Sequence, residues 1–324
     1  MAKEPENNEE EPRSARTFDL ALAAFVAIVV LVAMVVISGM KKTGVQLPPT
    51  PTVQANSTEG NAHKKYFETG KIFTAFEVPR GFTIGPEGRL FVVGDKALHI
   101  VNPEGQYTEQ KLDGKPGCVA LSKDNLLYVG MGDHVVVLDN CGRWQATWDS
   151  LPEGSLLTSI AIHEDDIWVA DAGMKTVHHY DKKGNLLGEL GNKLVVSSPH
   201  LDVAVATDGR VWIVNPGMHR LEEYGGEGNL LRSWGVFNAE LAGFTGCCNP
   251  TDFAFLPDGR FITAEKGIAR VKVYLPDGTL EALVAGPDDF APGDVGLDVA
   301  ADASGRIFVL DPLARNVRIF SAKQ

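Results

Sequence analysis

The sequence predicts an all-β fold: a six-bladed β-propeller of four-stranded antiparallel blades, preceded by a single N-terminal transmembrane helix. Three observations predict it. A strand–turn–strand phrase recurs six times beyond residue 63. Its period lies near the roughly 40–45 residues that a four-stranded blade needs. An unbroken apolar run precedes the repeats and is long enough to span a bilayer.

Residues 1–19 carry six acids against Lys3, Arg13 and Arg16, have no hydrophobic period, and read as an acidic disordered tail. Leu20 to Ile37 is 18 residues without a polar side chain. Ser38, Gly39 and Met40 extend it to 21 uncharged residues, and Lys41 and Lys42 close it. At about 1.5 Å per residue such a helix reaches about 31 Å, the thickness of the hydrocarbon core. A cleaved signal peptide has only roughly 7–15 apolar residues, so residues 20–40 are expected to be an uncleaved signal anchor. Three basic residues precede the span and two follow it. That balance puts the N-terminus in the cytoplasm and the following domain outside it. Residues 41–62 are rich in Pro and Thr and read as an extended linker.

Residues 63–324 hold the repeats. The second strand of each unit is the clearest marker: GRLFVV (88–93), NLLYVG (125–130), DDIWVA (165–170), GRVWIV (209–214), GRFITA (259–264) and GRIFVL (305–310). Their starts are spaced by 37, 40, 44, 50 and 46 residues. Short runs of Val, Ile, Phe, Trp and Tyr between Gly-containing turns are strand-like. The sixth unit ends after three strands, near Phe320. Tyr66 to Phe76 is left over before the first unit and is expected to supply the missing strand, closing the ring and hiding a sheet edge.

Composition narrows the function classes. The net charge is −12, and 25 basic against 36 acidic residues lie beyond residue 42. Phosphate binding needs a basic face, so nucleic acid is excluded as a partner. Four cysteines are too few for a disulfide scaffold.

The phrase P-x-x-h-A-h-x-x-x-G-R-h-h-V-x-D resembles the NHL-repeat family of six-bladed propellers. Its best copies here are residues 199–224 and 249–274. The resemblance implies the architecture. It leaves the function open among partner-binding modules, membrane-tethered sensor domains and metal-dependent lyases, because a fold does not fix a function.

The alternation of strand directions in an antiparallel blade sorts residues by face. The starts of first strands and the loops between second and third strands share one mouth of the channel, where loops from every blade converge. The first column is Gly81, Cys118, Ser159, Asp202, Asp252 and Asp298; the second is Asp95, Asp133, Asp171, Asn215, Glu265 and Asp311. An Asp after a strand commonly caps its own loop. The alternative is a contact surface for a protein or ligand, made of Asp171, Asn215, Glu265 and Asp311 with Cys247, Cys248 and Asn249. Asp202, Asp252 and Asp298 lie innermost and, with His200 and Cys118, are the candidate ligands of a divalent cation. Met131, Met174 and Met218 fall in consecutive loops of the same face, near His134, His200 and His219. Thioether, thiolate and imidazole together suit copper, although Met also fills irregular gaps.

Cys118 and Cys141 lie on opposite faces and are not expected to bond. Cys247 and Cys248, in the loop GFTGCCNP, have three readings: two small packed residues, a vicinal disulfide, or a soft-metal site. No Walker A, H-E-x-x-H, G-x-S-x-G, C-x-x-C-H or EF-hand phrase is present. The favoured expectation is a non-enzymatic, membrane-tethered binding module. The alternatives are a metal-dependent lyase or lactonase with a cation in the channel, and a redox or metal-handling accessory built on the cysteine loop.

Overall fold

The computed structural model describes residues 63–191, 193–293 and 295–323. The expected tail, span and linker lie outside the described residues. Among the described residues no helix is long and apolar enough to cross a membrane.

The strands follow in chain order. β1 (Tyr66–Phe73) stands alone at the start. Blade one is β2 (Pro79–Ile84), β3 (Leu90–Gly94), β4 (Ala97–Val101) and β5 (Tyr107–Lys111). Blade two is β6 (Cys118–Leu121), β7 (Leu126–Gly130), β8 (Val135–Asp139) and β9 (Trp144–Thr147). Blade three is β10 (Leu157–His163), β11 (Asp166–Asp171), β12 (Thr176–Asp181) and β13 (Leu186–Leu190). Blade four is β14 (Val203–Val205), β15 (Val211–Asn215), β16 (Arg220–Tyr224) and β17 (Leu230–Trp234). Blade five is β18 (Asp252–Phe255), β19 (Phe261–Glu265), β20 (Arg270–Tyr274) and β21 (Leu280–Ala285). Blade six is β22 (Asp298–Ala301), β23 (Ile307–Asp311) and β24 (Asn316–Ala322), completed by β1.

Each blade is one four-stranded antiparallel sheet in sequence order, and blade six reads β1-β24-β23-β22. β1 pairs with β24 from Tyr66 opposite Ala322 to Phe73 opposite Asn316, with an irregularity between Glu68 and Gly70. The Arg318 guanidinium donates to Glu68 at 3.0 Å across the join. The ring is therefore closed by the leftover N-terminal strand.

Burial follows from position. β3, β15, β19 and β23 are buried at every residue, because neighbouring blades cover both faces of a middle strand. This is why they read as unbroken apolar runs rather than alternating ones. β5 is the opposite case: an outer strand, exposed at every residue and polar in four of five.

The turns repeat one device. Gly142, Gly184 and Gly305 adopt φ of 83°, 84° and 78°, a region where only glycine is unstrained. At Gly184 the same position also lies against Trp148, where an added Cβ would sit 2.6 Å from the indole. The aspartate before each turn holds it. Asp302 accepts from the backbone N–H groups of Ser304 (3.0 Å) and Arg306 (2.9 Å), and from Arg306 Nε at 2.7 Å. Asp302→Ala removes the acceptor of these three bonds, and of one from the Ser304 hydroxyl at 2.7 Å, at a partly solvated site. The expected cost is about 1 kcal/mol, because water replaces part of the loss. A urea titration reads it; a cost above about 3 kcal/mol would show that the turn nucleates blade six.

Candidate functional site

The six innermost strands, with the segments that lead into them, surround a channel cavity of about 580 Å³. Its wall includes Arg80, Cys118, Ser159, His200, Asp202, Asp252 and Asp298. Five of the six residues of the first-strand column, all but Gly81, thus line the channel.

The carboxylates of that column do a structural task first. Asp202 accepts from Val203 N and, across the blade boundary, from Phe253 N, each at 2.8 Å. Asp252 accepts from Val299 N of blade six at 2.9 Å. Asp298 accepts from Phe82 N of blade one at 3.0 Å. The Ser159 hydroxyl donates to Val203 O of blade four at 3.3 Å. Each side chain ties its own inner strand to that of the next blade, so blades three to six and then one are latched in sequence around the axis. Gly81 completes the join on blade one. A Cβ there would lie 3.2 Å from Cys118 Cα and 3.4 Å from Asp298 Oδ2.

Three carboxylates on one narrow channel repel one another and lose hydration. Burial pushes Asp202 up to about 7 and Asp298 up to about 8, the latter helped by the Asp202 charge. Burial, then the charges of Asp202 and Asp298, hold Asp252 well above the usual carboxylate range. Burial pushes the Cys118 thiol up to about 12, so it stays protonated at neutral pH. His200 packs against Gly296, where an added Cβ would come within 2.6 Å of its ring. Among the described residues, no group of three or more His, Cys, Asp and Glu is placed to hold a metal ion. Asp202, Asp252, Asp298, His200 and Cys118 share the channel without forming such a group.

Four of the six residues of the second column are buried, and Asp95 and Asp133 are half-buried. Asp171, Asn215, Glu265 and Asp311 are at most 4% exposed. Their oxygens are filled by backbone N–H groups. Asp171 accepts from Leu156 N (2.8 Å) and Met174 N (2.9 Å). Asn215 accepts from Val195 N at 3.0 Å, and Glu265 from Thr245 N at 3.1 Å. Asp95 does the same for Glu77 N and Val78 N. These partners lie in the segment leading into the same blade, so the side chain clamps the incoming chain to the loop beside it. Asp311 caps only its own loop, through Leu313 N and Ala314 N. Burial opposes ionisation of Asp171, but hydrogen bonds from His178, Leu156 N and Met174 N outweigh it and hold its carboxyl down to about 2.

Sequence reasoning missed the network around Glu265. This carboxylate pairs with Arg270 Nη2 at 2.7 Å and Lys272 Nζ at 2.8 Å, all three groups being buried. Lys272 also donates to Leu241 O (3.0 Å) and Gly243 O (2.8 Å), and its ammonium lies 4.6 Å from the Phe244 ring centre. Burial brings Lys272 down to about 8 against the pull of Glu265. The one available signal was a lysine inside the otherwise apolar VKVY of β20. The network holds the long loop before β18 from beneath.

That loop carries Cys247, exposed, and Cys248 and Asn249, buried. Asn249 donates to Thr245 O (2.5 Å) and Lys266 O (3.0 Å), and accepts from Lys266 N (2.9 Å). These bonds fasten the loop. All four cysteines are unbonded: Cys118 and Cys248 are buried, Cys141 and Cys247 exposed. Met131 is buried, whereas Met174 and Met218 are exposed on separate loops. His134 bonds Asp133 at 2.8 Å, and His219 packs on Phe237 at 5.0 Å between ring centres.

Among charged residues such as Glu77, Arg80, Lys96 and Lys175, the mouth also exposes apolar side chains. Val78, Leu156, Val195, Val236, Phe237 and Leu313 are each at least 40% exposed, and they come from the lead-in segments and loops of five blades. Sequence patterning does not find this rim, because its members sit singly in irregular loops.

No family model matches the chain, and no curated protein matches it in sequence. Solved structures do. The chain is similar to a catalytically inactive virginiamycin B lyase from Staphylococcus aureus bound to quinupristin, with a TM-score of 0.59 and 11% identity over 80% of this chain and 100% of that one. It is similar to the calcium-binding protein regucalcin from Agrobacterium tumefaciens, with a TM-score of 0.57 and 15% identity over 79% and 94%. A Bacteroides thetaiotaomicron protein of unknown function gives 0.60 and 15% over 82% and 74%. At these identities the likeness establishes the propeller fold alone.

Proposed function

We propose that the protein is a membrane-tethered, extracytoplasmic propeller of NHL type whose channel-mouth face binds a protein or ligand. The exposed apolar rim around the 580 Å³ channel carries this reading. Apolar side chains from five blades, ringed about one opening, form the kind of surface that partner binding covers.

The direction of β1 supports the tether. Tyr66 pairs with Ala322 at the end of β24, and Phe73 with Asn316 at its start beside the mouth. The chain therefore enters the propeller on the face opposite the mouth. Lys323 N bonds Lys65 O at 2.8 Å, so the C-terminal strand ends there too. Under this reading the channel carboxylates are structural, and the likeness to a lyase and to regucalcin is one of architecture.

The experiment uses the full chain with Val195→Asp and Phe237→Asp, two exposed positions whose change leaves the core intact. Partners that co-purify with the wild type from solubilised membranes are expected to be lost from the double variant at unchanged thermal stability. Their full retention would overturn the mouth-face reading. Recovery of the wild-type chain in the soluble fraction after membrane pelleting would overturn the tether.

A further inference from the structure

The loop before β18 sets two thiols side by side and opens only one of them to solvent. Cys247 is exposed; Cys248 is buried, 1% exposed. The two thiols belong to adjacent residues. The loop is fixed on both sides of the pair. Thr245 is held by Glu265, and Asn249 bonds both Thr245 and Lys266. The thiols are thus presented at a defined place without a disulfide to hold them. Neither the latch ring nor the mouth rim uses them.

We propose that Cys247 and Cys248 form a thiol–disulfide exchange site for low-molecular-weight disulfides of the glutathione class, with Cys247 as attacking and Cys248 as resolving thiol. The steps balance as follows. The Cys247 thiolate attacks one sulfur of the external disulfide, the external S–S bond breaks, and one thiolate leaves and takes up a proton. The Cys248 thiolate then attacks Cys247 Sγ, and the second external thiolate leaves and is protonated. Two protein thiols are oxidised by two electrons, and one external disulfide is reduced to two thiols.

Burial fixes the order, because Cys248 meets an external disulfide only through its neighbour. The product is an eight-membered ring between adjacent residues, a strained geometry. Strained disulfides are readily reopened by thiols, so the step is reversible. Hydrogen bonding of the Cys247 S–H to Cys248, then the Cys248 charge, hold the Cys247 thiol above its usual range, while Lys266 opposes them. Exchange therefore accelerates as pH rises, by about tenfold per unit while the thiolate is the minor form.

The site stands whether or not the mouth binds a partner. Its test uses the full chain with Cys141→Ser, which removes the other exposed thiol. The protein is incubated with oxidised glutathione between pH 7 and 9, quenched in acid, and read by intact mass and peptide mapping. The expected product carries a Cys247–Cys248 bond, no glutathione, and a free Cys118, and reduced glutathione reopens it. Adding Cys248→Ser is expected to trap one glutathionyl group on Cys247; adding Cys247→Ser is expected to abolish reaction. Because the buried substitution can weaken the fold, the parent alone also decides. A parent that accumulates glutathione on Cys247 with Cys248 free overturns the proposal. So does a Cys247→Ser protein that takes up glutathione on Cys248 at the parent rate.

Discussion

Glu265→Ala is expected to destabilise the propeller by about 3–5 kcal/mol, the usual cost of leaving a buried ion pair with one partner missing. Glu265 is fully buried and is the carboxylate shared by Arg270 and Lys272. Its removal strands two cations in a low-dielectric site and also frees Thr245 N. Lys272→Met is expected to cost less. Glu265 keeps Arg270, the methionine refills the space beside Phe244 and Tyr274, and only the carbonyls of Leu241 and Gly243 lose a donor. Replacing all three charged groups by apolar residues of similar volume is expected to recover most of the loss. Urea titrations of the four proteins, compared at constant m-value, give the order. A Glu265→Ala cost below about 1 kcal/mol would mean that water reaches the site and that the loop before β18 is held by other contacts.

The contrast between Glu265 and the strands around it shows what the chain declares locally. The period, the middle strands and the closing segment are written as runs of apolar residues between glycine turns, and such patterns need no knowledge of neighbours. Loop capping by Asp171 and Asp311 was also legible, because an Asp after a strand has few other local options, whereas Asn215 caps no N–H of its own loop. Their burial was not. It depends on the lead-in segment folding back over the loop, and for Asp171, Asn215 and Glu265 the accepted N–H groups lie 15 to 20 residues upstream. The inner aspartates were correctly placed at the channel. Their partners, Phe82, Phe253 and Val299, sit on the next blade and are set only when the ring closes. Lys272 was hidden for the same reason, since its acceptors come from the connection between blades four and five.

The inner aspartates give the second large effect. Stability is expected to fall as pH rises from about 4 to 8, the reverse of ordinary carboxylate behaviour. In the native state Asp202 keeps its proton to about 7 and Asp298 to about 8, and Asp252 is raised with them. In the unfolded chain all three titrate near pH 3.9. Between these limits the native state binds more protons, so the unfolding free energy drops with rising pH, by up to about 1.4 kcal/mol per pH unit for each proton retained. The contribution is complete below pH 4 and lost as pH passes 7 to 8. Other shifted groups fall outside this window. Asp171, held down to about 2, acts below pH 4, and Lys272, brought down to about 8, acts above pH 8. Asp252→Asn keeps an acceptor for Val299 N while removing the titration of the group that the Asp202 and Asp298 charges burden. Its stability is expected to exceed the wild type at pH 8 and to approach it at pH 4.5, with a shallower slope between. Urea titrations of both proteins at half-unit steps decide the matter. A wild-type stability that is flat or rising across that range, matched by the variant, would mean the three carboxylates are ionised at neutral pH. The ring would then be latched by three charges, and the channel would carry a standing negative field rather than a set of protons.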